Sequence, residues 1–164
     1  MLNIKVTTIE PELNKKIKKV VYAEKHKWKK DLNNVKALTS GFNPDYTFFD
    51  ELYDFSFDYL KKYTQIKLNK SWWWANYYSK DHHCNPHNHE PELLSCILIV
   101  KSSSDNPLYF INGDKKYYMI EEDGMIIFFD SRYKHGVKKC KHRRITCALD
   151  FKSLNTITHS SDPF

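Results

Sequence analysis

The sequence has no apolar run long enough to cross a bilayer as a helix; Cys96 to Val100 has only the length of a buried strand. Its first residues, Met1-Leu-Asn-Ile-Lys-Val, lack the apolar core and the small-residue cleavage site of a secretory leader. These absences lead us to expect a cytoplasmic protein with no membrane partner. Cysteine is scarce: Cys84, Cys96, Cys140 and Cys147 are the four present. In a reducing compartment they are expected to be thiols, and 164 residues bury a core without covalent staples. No C-x-x-C pair occurs, so no zinc-finger spacing is met. Internal repeats and low-complexity linkers are missing as well. A single domain is therefore expected, with residues 1–69 packing on a core formed by 70–151 and a polar tail at 152–164.

Aromatic residues are abundant, 15% of the chain, and charge is plentiful, with a formal excess of +6. Lysines cluster at Lys15, Lys16, Lys18 and Lys19 and again at Lys25, Lys27, Lys29 and Lys30. Such clusters read either as a nucleic-acid patch or as the solvated face of a helix. The second reading is preferred because Leu13, Ile17, Val20 and Val21 follow helical spacing on the other side. Nucleic-acid binding has no further support, although a positive surface can favour an anionic substrate.

The pattern changes near Lys70. Before it, residues 2–8 suit a short strand, and Pro11 suits the first turn of a helix. Thr39 to Asp45 has the composition of a loop. Thr47 is placed to cap a second helix whose stripe runs through Phe49, Leu52, Tyr53, Ser56, Tyr59, Leu60 and Tyr63. After it, strands are expected near 71–79, 87–90, 94–101, 107–112, 115–120, 125–130, 135–139 and 143–151. So many short strands in so few residues imply a sandwich or small barrel with two N-terminal helices on one face.

Four of the eight histidines lie between Asp81 and Glu90. His87 and His89 are two apart, and on a strand such residues point to the same side. Two imidazoles can then reach one metal ion. His135, after the apolar run Met125-Ile-Ile-Phe-Phe, is the best third ligand, and this arrangement is that of a jelly-roll metal site. Arg144 and Thr146, beginning 9 residues further on, share a strand face. A guanidinium and a hydroxyl together can grip a carboxylate, and an arginine buried without an anion would be costly. Bland readings stand beside these: a polar strand end with an unrelated histidine, and a surface arginine. His82 and His83 read as loop or substrate-side residues, and Cys84 as a buried thiol. A zinc site of His82, Cys84, Cys140 and His142 is a weaker alternative. Trp72, Trp73 and Trp74 read as core or pocket wall.

The segments Trp74-Ala-Asn76-Tyr-Tyr78-Ser-Lys-Asp81, His87-Asn-His89, Leu94-Ser95, Leu108-Tyr-Phe110, Gly124-Met-Ile-Ile-Phe128, His135 and Arg144-Ile-Thr146 resemble the 2-oxoglutarate and iron(II)-dependent oxygenases. The resemblance is nearest to the prolyl-4-hydroxylase-like branch, including its small bacterial and phage members, and covers roughly residues 70–151. It implies a mainly β fold with a double-stranded β-helix, jelly-roll core. It implies Fe(II) as metal and 2-oxoglutarate as co-substrate, with His87 and His135 as ligands. Arg144, helped by Thr146, would pair with the far carboxylate of the co-substrate, and Tyr78 and Asn76 would line its pocket. The expected activity is hydroxylation of a substrate that no motif identifies, be it peptide, nucleotide or metabolite. One departure stands out. The family pattern is H-x-D/E…H, whereas His89 occupies the carboxylate position, as in some members with H-x-H; alternation points Glu90 away from His87. Three neutral imidazoles leave a metal more positive. Two alternatives follow: a cupin-like three-histidine dioxygenase or isomerase that does not use 2-oxoglutarate, and a non-catalytic metal-binding jelly-roll module.

Overall fold

The computed structural model describes residues 3–31 and 33–154. The expected tail at 152–164 lies outside the described residues from 155 onward. Strand β1 (Ile4–Thr8) leads to helix α1 (Pro11–Glu24) and a single 3-10 turn at Lys25–Lys27. Short strands β2 (Lys29–Lys30), β3 (Val35–Lys36) and β4 (Leu38–Thr39) precede helix α2 (Phe48–Leu60). The remainder is strand: β5 (Leu68–Tyr78), β6 (His83–His87), β7 (Leu94–Lys101), β8 (Leu108–Asn112), β9 (Lys115–Tyr118), β10 (Met125–Asp130), β11 (His135–Val137) and β12 (Arg144–Ser153).

The strands form two sheets. The larger runs β1-β10-β7-β12-β5-β4-β2 and the smaller β3-β6-β11-β8-β9. Alternation along the central strands explains why their sequences are apolar nearly throughout. Cys96, Leu98 and Val100 of β7, and Ile126 and Phe128 of β10, pack with Ile17 and Val21 of α1 and Phe49, Leu52 and Tyr53 of α2. Their neighbours Ile97, Ile99, Ile127 and Phe129 pack instead with Cys84, Leu108, Phe110 and Val137 of the smaller sheet. A strand buried on both faces has no polar side to show. The large sheet is thus sandwiched between the helices and the small sheet, in the mainly β, two-helix arrangement the sequence pattern implies, although the sheets do not close into a barrel.

Several local expectations change. Pro11 does open α1, but Thr47 makes no side-chain cap at α2, and Tyr63 is exposed instead of joining the buried stripe. The loop read at Thr39–Asp45 begins inside β4, which pairs with β5 through Leu38 and Thr39. These two-residue strands are too short to leave a periodic trace, and their partners alone define them. The lysine clusters are partly neutralised: Lys16 pairs with Glu51, Lys18 with Asp123 and Lys27 with Glu24. No helix among the described residues is long and apolar enough to cross a membrane. All four cysteines are free and buried.

Candidate metal centre and inner cavity

The small sheet brings two of the histidines together by strand pairing. His135 opens β11 and lies opposite His87, the last residue of β6, with ring centroids 4.6 Å apart. Gly136 follows, and it has to be glycine: a Cβ there would lie 2.7 Å from the Tyr109 hydroxyl oxygen and 3.0 Å from the Cys84 carbonyl. The smallest residue therefore lets β6 and β8 close tightly on either side of β11.

His89 is positioned differently from what H-x-H on a strand predicts. The strand expected at 87–90 is in fact His83–His87, so His89 lies two residues beyond its end. Strand alternation does not aim it. Its backbone N–H donates to the Ser131 carbonyl at 2.8 Å, just past β10. Its ring is held from the large sheet: Nδ1 lies 2.7 Å from Asp150 Oδ1 and 3.0 Å from Ser95 Oγ. Ser95 Oγ also donates to Asp150 Oδ1 at 2.6 Å and contacts Ser131 Oγ at 2.7 Å. Asp150 is buried and sits where the register of β12 against β5 shifts between Leu149 and Phe151. The Tyr53 hydroxyl donates to the Asp150 carbonyl at 3.0 Å.

The ligand atoms of His87, His89 and His135 all lie within 4.8 Å of one another, and among the described residues these three form the one such group. The alternative set of His82, Cys84, Cys140 and His142 does not assemble into one. Hydrogen bonding sets the tautomers. Nδ1 of His87 faces the Asn85 carbonyl at 2.9 Å, Nδ1 of His135 faces the Tyr133 carbonyl at 3.1 Å, and Nδ1 of His89 faces a carboxylate. The Asn85 and Tyr133 carbonyls and the Asp150 carboxylate only accept, so each Nδ1 carries a proton, and in the neutral ring Nε2 keeps a lone pair. Nε2 of His87 and Nε2 of His89 are 3.2 Å apart. Ring nitrogens this close need a shared proton or a cation between them, and a metal ion fits that place. Burial pushes His135 well below the ordinary histidine range, helped by His89 and His87, and burial lowers His87 too. Neutral imidazoles are what a metal requires. Cys84 Sγ is 3.5 Å from His87 Nδ1, but burial pushes this thiol up to about 12, so it stays protonated.

The residues expected to meet a co-substrate lie in the same cavity as two cross-strand pairs, Arg144 opposite Tyr78 and Thr146 opposite Asn76. Alternation puts Arg144, Thr146, Ala148 and Asp150 on one face of β12. The cavity is narrow, about 30 Å³, and runs from the three histidines to Arg144. The Oδ1 of Asn76 is buried there without a hydrogen-bond partner among the described residues. Arg144 is 1% exposed, and its guanidinium lies 5.2 Å from the centre of the Tyr78 ring. It already has an anion. Glu121, itself buried, accepts from Arg144 Nε at 2.9 Å and from Nη2 at 3.0 Å. Burial works to lower the arginine's pKa, but the Glu121 carboxylate outweighs it, and the net shift is upward.

Sequence reasoning passed over Asp150 and Glu121. Asp150 had a signal: it is the one acid in the apolar run Ile145–Phe151. Glu121 had none, because it precedes the turn Glu122-Asp123-Gly124 and reads as another solvated acid.

No family model matches the sequence, and no curated protein matches it. Solved structures do match. A prolyl-4-hydroxylase from Pseudomonas putida superposes with a TM-score of 0.75 at 9% identity, over 94% of this chain and 95% of that one. HygX from Streptomyces hygroscopicus, solved with nickel, 2-oxoglutarate and hygromycin B, gives 0.72 at 10% identity over 93% and 84%. The collagen prolyl hydroxylase of Paramecium Bursaria Chlorella virus-1, solved with 2-oxoglutarate, gives 0.68 at 12% over 90% and 94%. The chain therefore has the double-stranded β-helix fold of the 2-oxoglutarate and iron(II)-dependent oxygenases. Identity this low carries the fold and leaves activity to the site.

Proposed function

We propose that the protein is an iron(II)- and 2-oxoglutarate-dependent oxygenase that hydroxylates a bound substrate. His87, His89 and His135 would hold the metal. Arg144 and Thr146 would receive the far carboxylate of 2-oxoglutarate, with Tyr78 and Asn76 along the wall. The observation that carries this reading is the convergence of three Nε2 lone pairs with Arg144 in one cavity of this fold. When bound, iron(II) and 2-oxoglutarate would supply the chemistry that turns dioxygen, the oxidant, on the substrate. The chain's own part is to keep each imidazole in its Nδ1–H tautomer, to orient the dianion, and to exclude water with the walls of the cavity.

His89 keeps the charge logic of this site intact. The family pattern puts a carboxylate directly on the metal, whereas here Asp150 stands one imidazole away, hydrogen-bonded at 2.7 Å. Carboxylates behind ligating histidines raise ligand basicity and fix ring orientation. The buried negative charge is moved outward by one ring, not lost.

A second reading is favoured by the Arg144–Glu121 pair. If Glu121 keeps Arg144 occupied, no anion is needed there, and the centre is a three-histidine dioxygenase that works without 2-oxoglutarate. The test is an anaerobic titration of metal-free protein with iron(II) and then 2-oxoglutarate, followed by visible absorption. A weak charge-transfer band that requires both supports the oxygenase. Iron binding without that band favours the second reading, and no iron binding overturns both.

A further inference from the structure

We propose that the groove outside the histidines selects a substrate carrying an organic cation, an ammonium or guanidinium group; the assignment rests on the oxygenase reading for what happens to that substrate. A groove of about 460 Å³ opens on His87 and His89. Its charged lining is entirely acidic among the described residues: Asp31, Glu90, Glu92 and the edge of Asp150. That runs against the chain as a whole, which carries 26 lysines and arginines against 20 acids. A positive surface with a negative groove beside its reactive centre focuses cations there.

The groove is also lined by aromatic side chains, Phe42, Trp72 and Trp74. Phe42 is 69% exposed and Trp72 46%, and contiguous exposed apolar surface marks interaction sites. Phe42 packs edge-on against Trp72 and Trp74, at centroid distances of 5.6 and 5.3 Å, so the three make one surface. Trp74 carries that surface inward to His89, 5.4 Å away. Ring faces attract cations, and Trp does so best. Asp31 and Glu90 accept hydrogen bonds from backbone N–H groups of Asn33 and Val35 and from the Asn88 amide. These donors are neutral, and they orient the carboxylates without offsetting their charge. The anionic co-substrate and the cationic substrate are thereby sorted, one toward Arg144 inside the cavity, the other against acids and indoles outside it.

The test is tryptophan fluorescence titration of the full chain loaded with nickel(II), a redox-inert stand-in. The probes are an arginine-containing tripeptide, its citrulline counterpart of nearly the same shape, a glutamate-containing counterpart and free spermidine. We expect the arginine peptide or spermidine to bind roughly tenfold tighter than the citrulline peptide, as a partly desolvated cation–π contact allows. Preference for the peptide over spermidine, or the reverse, assigns the cation to a macromolecule or a metabolite. The preference should shrink severalfold in Glu92→Gln and in Trp72→Ala, whose melting temperatures check that they fold. Equal binding of the citrulline peptide, preference for the glutamate peptide, or no binding of any probe overturns the proposal. Repeating the series without nickel separates the two failures. A chain that prefers cations but takes up no metal loses the oxygenase reading and keeps the groove assignment, and the converse result does the opposite.

Discussion

The inner cavity has a histidine end and an arginine end, and each hides a carboxylate that the family pattern does not call for. At the histidine end, Asp150 backs His89 at 2.7 Å and is also held by Ser95. At the arginine end, Glu121 takes two guanidinium donors of Arg144. The two carboxylates have opposite consequences. Asp150 leaves every Nε2 lone pair free and makes the metal position more attractive to a cation. Glu121 neutralises the arginine and makes its position less attractive to an anion. One end is prepared for its ligand, and the other is filled until the ligand competes.

The largest expected effect comes from breaking the filled end. Glu121→Ala leaves Arg144 buried without a partner, which should cost about 3–5 kcal/mol of stability in urea unfolding. If the arginine end is a carboxylate site, 2-oxoglutarate should restore more stability to this variant than it adds to the parent protein. A variant that loses little stability, or that 2-oxoglutarate does not rescue, would dissolve the contrast between the two ends. At the histidine end, His135→Ala removes a ligand with no substitute nearby. Cobalt(II) affinity should fall more than about 100-fold, beyond what loss of an outer hydrogen bond causes.

Asp150→Asn sharpens the comparison. It should weaken cobalt(II) binding by about 10–100-fold while leaving the three ligands in place. The same substitution should have almost no further effect in a His89→Asp background, where a carboxylate meets the metal directly. If Asp150→Asn weakens both backgrounds equally, Asp150 supports the fold and not His89. The smallest effect is that of the metal on folding. His87 and His135 sit at strand ends and His89 just beyond one, outside the two apolar clusters, so the sheets should not depend on an ion to form. Chelation should lower stability by only about 1.4 kcal/mol from that at tenfold excess of free metal over Kd. Loss of the β-sheet circular dichroism on chelation would instead indicate a structural metal.

The comparison also shows where sequence reasoning succeeds. His87 was legible from the density of histidines around it and His135 from its place after the apolar run Met125–Phe129, and the pairing of β6 with β11 brings the two together. The alternation of Arg144 and Thr146 was legible because residues two apart on a strand share a face, and the structure adds their cross-strand partners Tyr78 and Asn76. His89 was found by a spacing rule that does not hold here: it lies beyond the strand, and the Ser131 carbonyl and the Asp150 carboxylate hold it in place.

Composition and periodicity by themselves determined the two helices, the strand-rich half, the histidine cluster and the polar face of β12. Those features are local, set by which side chains share a face of one element. Tertiary structure alone decided the partners of the buried charges. Glu121 reaches Arg144 across 23 positions of chain, and Asp150 reaches His89 across 61. No periodicity in one element encodes such a meeting, because it depends on where the sheets bring distant strands. A buried charge must find its counter-charge somewhere, and only the packed fold says where.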